Sequence, residues 1–318
     1  MSSSQLGLCV VGPGGIAAAH AKALQALGDV RFEWVVGREE SSAETFAREW
    51  GFARHTTELE SPSRDPGVDV VLIASPNELH LEQARQALEA EKHVIVEIPA
   101  AMSFDGALEL KRLSKRVGRR VLVCHTMRSY PAIREVRRRV QDGTLTVSQV
   151  TGFFAVPRRA NENWAGGTRS WVDNLLWHHA CHQVDAALWT LGIDQADHVR
   201  AQFGRSHPQF GMTMDLSVSF RTPARQVVTH TLTYNTAREV WLTRFVGDEA
   251  LLIYQDGALL DDEGREVIPA MDWSDLRPQD QDMLAAIRGE AESDYSIESV
   301  LPAMRVLQDA ELEGTAEC

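Results

Sequence analysis

Apolar and polar positions change their period at about residue 125. Before it, short continuous apolar runs (Leu6–Val11, Phe32–Val36, Val68–Ala74, Lys92–Glu97 and Arg120–Cys124) alternate with stretches of helical period (from Gly15 to about Leu27, Glu78–Glu89 and Ser103–Arg116). Such runs predict strands buried on both faces, and their alternation with helices predicts a parallel, doubly wound sheet. Beyond residue 125 one helix, Ala132–Gln141, precedes long β segments at Val147–Ala155, Val199–Phe203, Met214–Phe220, Gln226–Tyr234 and Trp241–Ile253. The alternation in Val227-Val-Thr-His-Thr-Leu-Thr233 suits an antiparallel sheet with one solvated face. The stretch Pro278–Glu313 reads as two further helices.

The turn after the first strand carries chemistry. Leu6–Val11 runs into Gly12-Pro13-Gly14-Gly15-Ile16-Ala17, where a helix starts at once. Gly12 permits a tight turn, Gly14 lets backbone approach a pyrophosphate, and the small Ala17 lets helix pack on strand. Phosphates would then sit at the helix N-terminus, on Gly15 and Ile16, where unpaired amides and the helix dipole favour anions. The second strand ends Val36-Gly37-Arg38, with Ser41 and Ser42 beyond. A dinucleotide site that takes NAD places an acid there for the ribose diol, whereas arginine suits a 2′-phosphate. NADP is therefore the expected cofactor, with NAD the alternative should Glu39 or Glu40 turn inward. The fold expected is an α/β Rossmann domain over residues 1–125, followed by an α+β domain over 126–318. The second domain has an open, mainly antiparallel sheet, and its C-terminal helices can pack back on the first.

Composition narrows the partners. The 318 residues carry a net charge of −13, which argues against nucleic acid or anionic membranes. No apolar run approaches a bilayer span, and Met1-Ser-Ser-Ser4 has no basic leader character. Cys9, Cys124, Cys181 and Cys318 show no framework spacing, so a cytoplasmic, reducing setting is expected.

Three of the eleven histidines fall in Asn174-Leu-Leu-Trp-His178-His179-Ala-Cys181-His182-Gln-Val-Asp185. On a helix His178 and His182 share a face, a plausible proton-transfer station near neutral pH. Cys181 as a nucleophile and a zinc site on the same histidines are the sharper readings. The first loses to a small buried hydrophobe, and the second to the missing metalloprotease glutamate, so no metal is expected. Trp164, Trp171 and Trp177 are wall or core candidates. The run Arg134–Arg139 reads as an exposed helix face, and His20, His55, His93, His198, His207 and His230 as satisfied or solvated.

Four segments in order resemble the Gfo/Idh/MocA oxidoreductases: Gly12-Pro-Gly14-Gly15-Ile16, Ser75-Pro76-Asn77-Glu-Leu-His80, Lys92-His-Val-Ile-Val-Glu97-Ile98-Pro99 and His178-x-x-x-His182-x-x-Asp185. The resemblance implies an NAD(P)-dependent dehydrogenase in which Ser75, Pro76, Asn77, His80, Glu97 and Pro99 belong to the cofactor side. Two positions depart from the family pattern. Its Lys between Glu and Pro is Ile98, and its Asp before the helix His is His178. An aliphatic side chain cannot relay a proton, so the base is expected on the histidine face. His182 comes first and His178 second, with His179 beside them and Asp185 able to orient His182.

Arg169-Ser-Trp-x-x-x-Leu-Leu-Trp-His-His179 further resembles the branch that acts on 4-carboxy-2-hydroxymuconate-6-semialdehyde in the protocatechuate 4,5-cleavage pathway. That implies oxidation of a cyclic hemiacetal by NADP to 2-pyrone-4,6-dicarboxylate. A small anionic substrate with two carboxylates needs a cationic pocket. Arg128 and Arg169 are the first candidates, followed by Arg158, Arg159 and His125, with Trp177 as wall. The alternatives are a dehydrogenase or reductase of another small carboxylated or sugar-like compound, and a non-catalytic NADP sensor. An open sheet face leads to the expectation of a homodimer.

Overall fold

The structure is a computed structural model that describes residues 5–161, 172 and 174–316. Arg169, Trp164 and Trp171 lie outside the described residues. Contacts divide the chain into two units: Met1–Cys124 with Ser274–Ser299, and His125–Trp273 with Val300–Cys318.

The first unit alternates β1 (Leu6–Val11), α1 (Gly15–Leu27), β2 (Val30–Val36), α2 (Glu40–Trp50), β3 (Arg54–Thr56), α3 (Glu60–Arg64), β4 (Val70–Ile73), α4 (His80–Glu89), β5 (His93–Val96), α5 (Phe104–Val117) and β6 (Val121–Val123). Its six strands are parallel in the order β3-β2-β1-β4-β5-β6. The order reverses at β1, so the carboxyl ends of β1 and β4 open the crevice where such sheets bind ligands. β1 and β4 are apolar throughout because helices cover both faces. β3 and α3 were not expected, since three and five residues are too short to show a period.

The second unit contains α6 (Pro131–Gln141), β7 (Val147–Ala155), α7 (Cys181–Leu191), β8 (Asp197–Phe203), β9 (Asp215–Arg221), β10 (Val227–Thr233), β11 (Val240–Gly247), β12 (Leu251–Gln255), β13 (Ala258–Leu260) and β14 (Glu266–Ile268). They form one eight-stranded sheet in the order β14-β13-β12-β11-β7-β10-β9-β8. β7 and β10 pair in parallel and the other neighbours antiparallel. α6 and α7 pack on one face, which buries Val150, Phe154, Val218, Phe220, Val228, His230, Leu232 and Phe245. The single β segment expected at Trp241–Ile253 is two strands. Asp248 and Glu249 sit in the turn, closed by the Gly247 amide on the Ala250 carbonyl at 3.0 Å, and the Thr146 amide and hydroxyl hold Glu249.

After the sheet come α8 (Arg277–Ile287) and α9 (Ile297–Ala316). α8 belongs to the first unit, where Met283, Leu284, Ala286 and Ile287 join the core of Leu8, Val10 and Leu24. Tyr295 extends this attachment by accepting the Val123 amide at 2.8 Å. Among the described residues no helix is long and apolar enough to cross a membrane.

Candidate functional site

In the first unit the turn after β1 is shaped for an anion. Gly12 has φ +88°, and a Cβ there would lie 2.7 Å from the Ser75 backbone. Gly14 is the opposite case, because an added Cβ would meet no protein atom within 4 Å. The first intrahelical amide to find a partner is that of Ala18, on the Gly14 carbonyl at 3.0 Å, so the amides of Gly15 and Ile16 lead the helix. α1 has no acid in its first turn.

The same edge of the sheet is braced by His80. Its Nδ1 and Nε2 lie 2.8 Å from the carbonyl oxygens of Pro99 and Ser75, tying the loops after β5 and β4 together. Ser75 donates its hydroxyl to Gln83 at 2.5 Å. Pro76 precedes the short turn Asn77–Leu79. The Asn77 side-chain nitrogen is buried with no hydrogen-bond partner among the described residues. An orphan donor of that kind costs about 1–3 kcal/mol unless a ligand acceptor completes it. The open cradle at Gly14 and this donor both fit a dinucleotide.

These two glycines separate folding from binding. Gly12→Val should destabilise the unit by the about 1–3 kcal/mol of backbone strain plus the clash with Ser75. Gly14→Val should unfold like wild type yet bind dinucleotide at least about tenfold more weakly, since it fills the cradle. Denaturant unfolding and cofactor titration of both proteins check this. A Gly14→Val protein with unchanged affinity would remove the cradle.

At the end of β2 the Arg38 side chain is 74% exposed and 3.5 Å from Glu39, while Glu40 pairs with His55 at 2.9 Å. Ser41, Ser42 and Thr45 line a shallow groove with Pro13. Both acids are exposed, Glu39 beside Arg38 itself and Glu40 beside the His55 ring.

His20, expected to be satisfied or solvated, is a satisfied core histidine with two acidic partners. It is wholly buried on α1, with Nε2 2.9 Å from Glu97 and Nδ1 2.9 Å from both Asp280 oxygens. Two carboxylates facing two ring nitrogens demand two N–H donors, and so an imidazolium. Burial by itself would push the pKa down. The Asp280 charge and hydrogen bonds to Asp280, Cys124 and Glu97 lift it well above the ordinary value. His20, Glu97 and Cys124 also offer ligand atoms within 4.8 Å of one another. The Nε2 proton already serves Glu97, however, and burial pushes the Cys124 thiol up to about 12.

A raised histidine pKa stabilises the fold fully below the unfolded value of about 6.5 and loses that stability as pH rises through the folded value. His20→Gln should therefore fall furthest behind wild type at about pH 6, with the gap narrowing toward alkaline pH. Urea unfolding across that range measures it, and a pH-independent gap would contradict the imidazolium.

In the second unit Asn174 starts the histidine segment, its side-chain oxygen accepting the amides of Leu176 at 2.9 Å and Trp177 at 3.3 Å. Leu176–Ala180 is a π-helical turn, with the Ala180 amide on the Leu175 carbonyl at 3.0 Å, and it leads directly into α7. Such turns are frequent at functional sites because they turn side chains out of the regular helical register. His178, His179 and His182 are all half-buried. His179 is held on three sides. Its Nδ1 is 2.6 Å from the Tyr234 hydroxyl, its face stacks on Phe154 at 4.7 Å, and the edge of His178 is 4.5 Å away. The Arg158 guanidinium lies 4.7 Å over the Tyr234 ring. Below this cluster Asp185 is fully buried. Burial would raise its carboxyl, but the Arg128 charge and His125 hold it well below the usual carboxylate range.

Residues 6–125 match the oxidoreductase family with an NAD-binding Rossmann fold, and residues 131–271 match the C-terminal domain of bacterial oxidoreductases. The chain belongs to the Gfo/Idh/MocA family of oxidoreductases. It is similar to 4-carboxy-2-hydroxymuconate-6-semialdehyde dehydrogenase of Sphingobium sp. (strain NBRC 103272 / SYK-6), 31% identical over 96% of this chain and 98% of the relative. It is also similar to D-xylose dehydrogenase of Paenarthrobacter nicotinovorans, 33% identical over 57% of this chain and 50% of the relative. Among solved structures, levoglucosan dehydrogenase in complex with NADH and L-sorbose has a TM-score of 0.88 at 18% identity, covering 99% of this chain and 98% of that one. GenD2 from gentamicin A biosynthesis, in complex with NAD, has a TM-score of 0.86 at 20% identity, covering 100% and 96%.

As a Gfo/Idh/MocA member the chain is an NAD(P)-dependent dehydrogenase, and several expected site residues take other roles within it. Arg128 is 1% exposed and spends its guanidinium on Asp185, with Nε donating to Oδ2 at 2.7 Å and Nη2 donating to Oδ1. A cation so paired is the counter-ion of a buried acid rather than a clamp for substrate. Asp185 accordingly does not orient His182. It holds Arg128 and, at 3.1 Å, the Nδ1 of His125. His125 is itself 1% exposed, which removes it from the substrate wall, and its ring meets His182 edge-on at 6.1 Å. Trp177 is completely buried, its indole N–H donating to Glu311 at 2.9 Å, so it is core. Cys181 is buried, and desolvation followed by the Asp185 charge keeps it a protonated thiol. Arg159 is exposed, with Nη2 donating to the Thr236 carbonyl at 2.7 Å. Arg158 is buried beside the histidines. Tyr234 is the residue that sequence reasoning missed. The alternation of β10 places it on the helix-covered side, but nothing local reveals its partner on a turn 55 residues away.

Proposed function

We propose that this dehydrogenase oxidises the cyclic hemiacetal of 4-carboxy-2-hydroxymuconate-6-semialdehyde to 2-pyrone-4,6-dicarboxylate, with NADP. The observation that carries the reading is the half-buried face of His178, His179 and His182 with Arg158 beside it, in a chain whose family lysine is Ile98. Similarity to the Sphingobium enzyme over nearly the whole of both chains supports the substrate.

Gly12, Gly14, Gly15, Ile16, Ser75, Asn77 and the His80-braced loops would hold the dinucleotide, which when bound supplies the hydride acceptor. His182 takes the hydroxyl proton of the hemiacetal as its C–H leaves as hydride, and the ring carbon becomes the lactone carbonyl. The exposed Arg38 at the end of β2, with Glu40 turned to His55, supports NADP over NAD.

Absorbance of the reduced nicotinamide, followed with semialdehyde made in situ and with NADP and NAD in parallel, tests the proposal. Turnover with NADP to the pyrone dicarboxylate is the expected result, and Arg38→Ala should raise KM for NADP far more than for NAD. Tight NADP binding without turnover would move the assignment to another small carboxylated or sugar-like substrate.

A further inference from the structure

α1 presents the cradle amides of Gly15 and Ile16 at its start and buries His20 in its second turn. From there the imidazole meets a second loop of the same sheet edge. Its Nε2 donates to Oε1 of Glu97 at 2.9 Å, and Oε2 of that carboxylate accepts the Ile98 amide at 3.2 Å. Glu97 stands at the carboxyl end of β5, its own amide on the Ile73 carbonyl of β4 at 2.9 Å. Two residues on, the Pro99 carbonyl meets His80, whose other nitrogen meets the Ser75 carbonyl. On the far side of the His20 ring, Asp280 of α8 receives Nδ1 with both oxygens at 2.9 Å. His20 and Asp280 are closed off from solvent, whereas the Glu97 side chain is 13% exposed, so the buried chain of polar groups reaches the surface at Glu97. The strand order β3-β2-β1-β4-β5-β6 says which part of a dinucleotide this concerns. With the pyrophosphate on α1 and the adenosine ribose toward Arg38 at the end of β2, the nicotinamide half would extend over β4 and β5, the side of Ser75 and Glu97.

We propose that His20, pinned by Asp280, is a positioning residue that ties α1 to the Glu97 loop and so sets the nicotinamide end of the site against the pyrophosphate cradle. An imidazole held between two carboxylates cannot turn or withdraw without stranding one of them in the interior, which makes the tie stiff. The clamp takes one oxygen of Glu97 and leaves the carboxylate its other contacts. The inference rests on the nicotinamide cofactor and not on the semialdehyde.

The test compares whole and truncated cofactor. Calorimetric titrations use NADP and NAD, each beside the matching ADP-ribose compound that lacks only the nicotinamide. His20→Gln should weaken the dinucleotide about tenfold, the loss of one well-placed charged hydrogen bond, and the ADP-ribose compound by less than about twofold. In a double-mutant cycle His20→Gln should cost no further dinucleotide affinity once Glu97→Gln is present, since its effect passes through that carboxylate. Asp280→Asn, which leaves the ring in place and removes its charged pin, should likewise weaken the dinucleotide more than the ADP-ribose compound. That variant carries the comparison should His20→Gln not fold. Equal losses for whole and truncated cofactor, an unchanged dinucleotide affinity, or additive losses in the cycle would overturn the proposal and leave His20 a core residue that only stabilises. No arm uses the semialdehyde, so failure of the substrate reading and failure of this one are separate results.

Discussion

Arg128→Met is expected to cost about 3–5 kcal/mol of stability, because it strands the Asp185 carboxylate in the core with, among the described residues, His125 as its remaining partner. At the usual scaling that lowers Tm by about 10 °C. The size follows from the asymmetry of buried ion pairs. The intact pair contributes little net stability, since desolvating two charges offsets their attraction, whereas removing one partner leaves the whole desolvation cost of the other. The double variant Arg128→Met/Asp185→Leu should for the same reason recover most of the loss. Calorimetric unfolding of both proteins distinguishes this from a substrate clamp. A single variant with wild-type Tm and a sharply raised KM would return Arg128 to the substrate pocket.

His182→Ala should lower kcat by about 10²–10⁴, the usual contribution of a positioned general base. Dinucleotide affinity should be unchanged, since the glycine cradle that would hold the dinucleotide is left intact. His182 is half-buried, and its loss leaves the Arg128–Asp185 pair intact, so Tm should move by no more than a few degrees. The pH profile gives the second signature. The wild-type limb reporting an imidazole base should disappear in His182→Ala, and the residual rate should rise with hydroxide. If His182→Ala retains full kcat while His178→Ala loses it, the base is His178, in the π-helical turn that leads into α7.

Arg128 and Trp177 show where reading the chain alone stops. Arg128 sits in the loop after β6, in a place and of a type that suit a carboxylate ligand. Only the packing of α7 shows that a carboxylate of the protein already occupies it. Trp177 lies between catalytic-looking neighbours, yet α9 supplies Glu311 to its indole across 134 residues. His20 is satisfied, as expected, but by partners that local sequence does not show. An isolated histidine in an alanine-rich helix gives no sign of partners 77 and 260 residues further on.

The amino-acid order by itself determined the alternating first half, the open sheet of the second, the glycine turn, the arginine at the end of β2 and the histidine segment. Each is written in local period, backbone permissiveness or spacing along one element, and these act over a few residues. Tertiary structure alone decided which charges neutralise one another and which imidazoles stay half-open. It paired Arg128 with Asp185, set His20 between Glu97 and Asp280, and brought Tyr234 to His179. Those outcomes depend on burial and on contacts between distant elements, where the low dielectric makes an unpaired charge costly and so selects the partner.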